Sequence, residues 1–88
     1  MACYVVTFEP IGIGALAAIQ EKLKTTNYYC PINAHSWAVV TQMTAVQLRD
    51  LLSNAAPASR IFVVRSGTEA AWRNTYGVKY DEWLKTNL

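Results

Sequence analysis

The chain has 88 residues, 52% of them apolar, and a formal net charge of +2. That length holds one domain, predicted to span residues 1–88, and it excludes a multidomain enzyme. The eight basic residues are scattered and the pI is near 8.7, well short of the bias of a dedicated nucleic-acid binder.

Only 16% of the residues are charged and the mean hydropathy is +0.10, an oily balance for so small a chain. Surplus apolar surface ends at interfaces, which predicts a homo-oligomer. Cys3 and Cys30 are too few for a disulfide framework and their spacing fits no zinc pattern. They read as buried reduced thiols, and no cofactor is expected. No apolar run approaches the roughly 18–20 residues of a membrane span, and Met1-Ala2 leads into a strand without a basic leader. Together these predict a cytoplasmic protein with no membrane partner.

In chain order, Cys3 to Phe8 is β-branched and aromatic, which marks a strand that Glu9-Pro10 ends. After Gly12 and Gly14 the spacing predicts a helix to about Thr25, with Ile13, Leu16, Ile19 and Leu23 as its apolar stripe. Glu21, Lys22 and Lys24 fall on its outer face. Tyr28-Tyr29-Cys30 begins a second strand, which Pro31 confines to an edge or an end. Asn33-Ala34 turns the chain, and Ser36 to Thr41 forms a third strand.

Thr44 and Gln47 make a capping box, and Met43 with Leu48 a hydrophobic staple, so a second helix starts here. Leu48, Leu51, Leu52 and Ala55 form its buried face, and Pro57 stops it. Arg60 to Arg65 is the fourth strand. The order βαββαβ predicts an α+β, ferredoxin-like sandwich: a four-stranded antiparallel sheet, two helices on one face, a core over residues 3–66 and a helical appendage over 67–88.

A sheet covered on one face alternates apolar and polar residues. The first and third strands do not, because Val5 and Val6, or Val39 and Val40, cannot both face the helices. A second cover is required, either a partner subunit or the tail. In the tail, Thr68 reads as an N-cap ahead of Glu69, Ala70, Ala71 and Trp72. After Gly77, the residues Tyr80, Trp83, Leu84 and Leu88 have helical spacing, with acids early and Lys85 late.

Several residues are candidates for chemistry. Gly12-x-Gly14-x-x-Ala17 formally fits a dinucleotide fingerprint, but the length excludes that domain and the matching acid is missing. It reads as a loop that needs glycine, with weak anion binding as the lesser reading. Glu9, at the end of the first strand, is the candidate catalytic residue; paired across a two-fold axis it could hold Mg²⁺. A solvated loop carboxylate is the plainer reading. His35 reads as a turn residue rather than a general base. Arg60, Arg65, Arg73 and Lys79 are candidate phosphate contacts along one rim. Trp37, Trp72 and Trp83 read as core or interface rather than stacking platforms.

Three stretches, Tyr4-Val5-Val6-Thr7-Phe8-Glu9, then Ser36 to Thr41 with Thr44 to Leu52, and finally Arg60 to Val64, resemble the SinR-like small proteins of bacteria and their mobile elements. That group is similar in turn to the small ferredoxin-fold subunit of the CRISPR spacer-integration complex and to the virulence-associated protein D ribonucleases. The resemblance covers residues 3–66. It implies a homodimer whose sheets face one another. In the nuclease relatives an aspartate ends the first strand within a metal-dependent phosphodiesterase site, and Glu9, followed by Pro10-Ile11, holds that position here.

Three functions follow as expectations. The first is a homodimeric, non-catalytic or vestigial module that binds nucleic acid or a protein partner. The second is a Mg²⁺- or Mn²⁺-dependent ribonuclease acting through Glu9. The third is a phage or mobile-element protein that blocks a host partner.

Overall fold

The structure is a computed structural model that describes residues 1–67 and 69–88. Strands β1 (Ala2–Glu9), β2 (Tyr29–Asn33), β3 (Ser36–Thr41) and β4 (Arg60–Arg65) alternate with helices α1 (Ala15–Lys24), α2 (Ala45–Ala55) and α3 (Val78–Asn87). The sheet order is β2-β3-β1-β4 with every pairing antiparallel. This is the ferredoxin-like α+β arrangement expected from the sequence, with β1 and β3 central and a helix added at the C-terminal end.

Both helices of the sandwich pack on the inner sheet face. There Tyr4, Val6 and Phe8 of β1 and Trp37 and Val39 of β3 meet Ala15, Ile19 and Leu23 of α1 and Leu48 and Leu52 of α2. The period of two sends Val5 and Val40 to the other face, as the strand pattern requires. Helix α2 begins as its motif dictates. Gln47 N–H donates to Thr44 Oγ1 at 3.1 Å and the Gln47 side chain accepts from Thr44 N–H at 2.9 Å.

The stripe of α1 differs from the expected one. Gly14 is the N-cap in the left-handed region (φ 78°), so Ile13 lies in the loop, outside the helix, and is fully exposed. Ala15, Ile19 and Leu23 are the buried line, spaced four apart; Leu16, one residue round, is exposed. The first part of the tail also differs. Residues 69–74 form no helix, and Ala70, Ala71 and Trp72 are exposed. Asn74 takes a positive φ of 56°, and a segment this short with nothing packed on it cannot hold helical turns by itself. The cap expected at Thr68 lies outside the described residues.

From Val78 onward the tail is the predicted helix. It lies across the outer sheet face, where Leu84 seals a second small core with Cys3, Cys30 and Ala38, flanked by Ile32, Val40, Tyr80, Trp83 and Leu88. Trp83 tilts against Tyr28 with ring centroids 5.2 Å apart, and Asn87 Nδ2 donates to Tyr28 Oη at 3.3 Å. The tail therefore supplies one of the two covers the strands require. It covers the β2–β3 half and reaches β1 only at Cys3. On the β1–β4 half Val5 is half-buried, while Thr7, Phe62 and Val64 stand exposed.

Candidate functional site

The chemistry-bearing side chains gather at the end of the sheet where β1 stops, β4 starts and the β2–β3 turn passes. Antiparallel register sets Glu9 directly opposite Arg60 on the outer face. Cross-strand neighbours of opposite charge attract, and Arg60 Nη1 reaches Glu9 Oε1 at 2.6 Å. Both side chains are largely exposed, so solvent screens the pair to about 0–1 kcal/mol.

The surrounding backbone is pinned by side chains. Pro10 ends β1, and Ile11 N–H donates to Ser59 Oγ at 2.9 Å, tying the loop to the entry of β4. Asn33 Oδ1 accepts from His35 N–H at 3.0 Å, an Asx turn that closes the β2–β3 hairpin and presents His35 at its tip. The His35 ring stands 6.1 Å from that of Phe8. Ser36 Oγ donates to Thr7 Oγ1 at 3.1 Å, and Thr7 Oγ1 donates to the His35 carbonyl at 3.3 Å.

Together these groups border an open cavity of about 470 Å³ lined by Thr7, Phe8, Glu9, His35, Arg60, Ile61 and Phe62. Three sequence candidates, Glu9, His35 and Arg60, thus share one depression. Its walls combine a carboxylate, a guanidinium, an imidazole, a hydroxyl and an exposed phenyl ring. Such a set can hold a polar ligand by hydrogen bonds and stack a planar one on Phe62. It does not fit a divalent ion. Glu9 is the one carboxylate in the lining and one of its oxygens is bonded to Arg60. Among the described residues no three His, Cys, Asp or Glu side chains cluster as a metal would require.

The four candidate cations do not share one rim. Arg60 and Arg65 stand at opposite ends of β4, about 16 Å apart along the strand. Arg73 is exposed in the connection to α3. Lys79 lies beside β2, on the far edge of the sheet, its Nζ 5.4 Å from the Tyr80 ring centroid. There it borders a groove of about 390 Å³ with Tyr28, Tyr29, Pro31 and Trp83.

Cys3 and Cys30 are buried free thiols beneath α3. Burial pushes both thiols up. Hydrogen bonding to Ser66 partly offsets the rise at Cys3; at Cys30 the neighbouring Cys3 adds to it and Lys79 opposes it. Protonated, enclosed thiols are poor nucleophiles.

Sequence reasoning left out Phe62, Thr7 and Ser36. Phe62 reads as one more core residue of an apolar strand; only the pairing of β4 with β1, and the stopping point of α3, show that it faces outward and uncovered. No family model, curated protein or solved structure matches the chain. The resemblance over residues 3–66 accordingly rests on its sequence motifs. No helix among the described residues is long and apolar enough to cross a membrane.

Proposed function

We propose that this chain is a homodimeric binding module that carries nucleic acid on its basic β4 side and performs no chemistry of its own, in keeping with the resemblance to the small CRISPR integration subunit. The observation that supports this most is the divided outer face. One half is sealed by α3, and the other leaves Phe62 and Val64, 61% and 47% exposed, beside Val5. A contiguous apolar strip on a small domain marks an interaction surface. Arg60, on the same face as this strip, is suited to phosphate oxygens, and Arg65 at the far end of β4 alternates to the other face. Glu9 acts here as the counter-ion of Arg60 and restrains it.

The test has two arms. Sedimentation or light scattering across a dilution series should give a particle of twice the 9.8 kDa chain mass. Gel shifts with single- and double-stranded DNA and RNA should show binding that weakens as salt rises, because phosphate contacts release counterions. Binding that ignores salt, or none, removes the nucleic-acid half of the reading. RNA cleavage that needs added Mg²⁺ and disappears in Glu9→Gln would overturn the non-catalytic half in favour of the ribonuclease.

A further inference from the structure

We infer that the second copy docks edge to edge along β4, in an antiparallel register centred on Val63, so that two four-stranded sheets become one of eight strands. The inference rests on the homodimer proposed above and names the surface that makes it.

The two sheet edges are treated differently. At β2 the edge carries Pro31, which has no N–H, and a register shift between Pro31 and Asn33. Both devices discourage pairing. The β4 edge has neither. Arg-Ile-Phe-Val-Val-Arg pairs with β1 in unbroken register over its full length, contains no proline or glycine, and keeps its two cations at its ends. An unbroken apolar edge of this kind templates another strand.

The backbone fixes which groups point outward. Ser66 N–H donates to the Cys3 carbonyl at 2.9 Å, so in the β1–β4 ladder the hydrogen-bonded pairs are those of Val5 with Val64, Thr7 with Phe62 and Glu9 with Arg60. The same parity follows from the other side of β1, where Phe8 N–H donates toward β3, to the His35 carbonyl, at 2.9 Å. Ile61, Val63 and Arg65 therefore direct N–H and C=O to the free edge. A two-fold axis at Val63 pairs Val63 with its counterpart and Ile61 with the second copy's Arg65. Every outward backbone group of the strand is then satisfied.

The side chains agree with this register. On the outer face Phe62 meets the second copy's Val64, and the strip from Val5 through Val64 continues onto the second copy's Phe62. On the inner face the partly buried Ile61 and Val63 extend the helix-side core across the axis. No like charges oppose each other directly. Arg60, already paired with Glu9, faces Ser66, and Arg65 faces Ile61. An axis at Phe62 would instead satisfy fewer outward groups within the strand. In the Val63 register the two β1 strands are three inter-strand spacings apart, about 14 Å, so the two Glu9 carboxylates cannot share an ion.

Three variants of the full chain test this by dilution-series mass measurement, with circular dichroism as the folding control. Arg65→Pro removes an N–H that bonds nothing among the described residues of one copy and should weaken the dimer by about tenfold or more. Phe62→Glu should shift the particle toward the monomer, and adding Val64→Lys to it should restore the dimer, because the two substituted positions face each other across the axis. A monomeric parent overturns the inference together with the homodimer. A dimeric parent that ignores Arg65→Pro, or whose Phe62→Glu defect Val64→Lys fails to restore, overturns the β4 edge alone and points to packing of sheet faces.

Discussion

The two halves of the outer sheet face are built from the same kind of strand residue and meet opposite fates. On the β2–β3 half, Cys30, Ala38 and Val40 lie under Leu84, Tyr80 and Trp83 of α3. On the β1–β4 half, Val5 is half-buried, and Phe62 and Val64 are exposed with no helix of the described residues over them. The difference is one of reach. Helix α3 is ten residues, about 15 Å, and it runs beside β2 rather than across all four strands. The covered half is therefore structure, and the open half is where function is sought.

The sharpest way to break that comparison is to truncate one apolar side chain on each half. Leu84→Ala removes a side chain that is 1% exposed and should cost about 2–4 kcal/mol, a large share of the stability of so small a domain. Phe62→Ala, measured on the monomeric chain, should change stability by no more than about 0.5–1 kcal/mol. Urea denaturation of both variants reads the difference directly. Comparable losses would mean that the open half is as structural as the covered one.

Much of this division was legible in the sequence. The adjacent valines of β1 and β3 announced a two-faced sheet, and Tyr80, Trp83, Leu84 and Leu88 announced the helix that covers it. Thr44 and Gln47 located the start of α2 because a capping box is a local device. The stripe of α1 was misread because periodicity counts from wherever the helix starts, and the left-handed Gly14 delays that start beyond Ile13. Which half α3 covers was not legible, since the helix's own spacing does not say which strands it meets; its packing on Cys30 and Ala38 does. The ion pair of Glu9 with Arg60 was hidden for a related reason. The two residues are far apart in sequence and meet only through the β1–β4 register.

A middle-sized effect belongs to the thiols sealed in the covered half. Burial raises both Cys3 and Cys30 above the ordinary thiol value of 9.0, so the unfolded chain releases those protons first as pH climbs. The folded state then holds more protons than the unfolded one, and stability falls with rising pH. The stabilisation is complete below pH 9.0 and is lost as pH passes through the raised values. Urea midpoints should therefore hold below pH 9.0 and decline as pH climbs above it, and Cys3→Ala combined with Cys30→Ala should flatten that decline. An unchanged slope would place the thiols in contact with water and α3 off the sheet.

The smallest stability effect and the most informative binding effect come from the open half, at Glu9→Gln. The ion pair with Arg60 is exposed on both sides, so its loss should cost under about 1 kcal/mol and nothing measurable at high salt. Binding moves the other way. With its carboxylate partner neutralised, Arg60 presents a full charge to phosphate, so nucleic-acid affinity should rise and its salt dependence steepen by about one ion. A carboxylate that served catalysis or held a metal would give the opposite result, with function lost at constant stability. Gel shifts of the parent and of Glu9→Gln across salt separate the two readings, because a counter-ion and a catalyst at the same position predict changes of opposite sign.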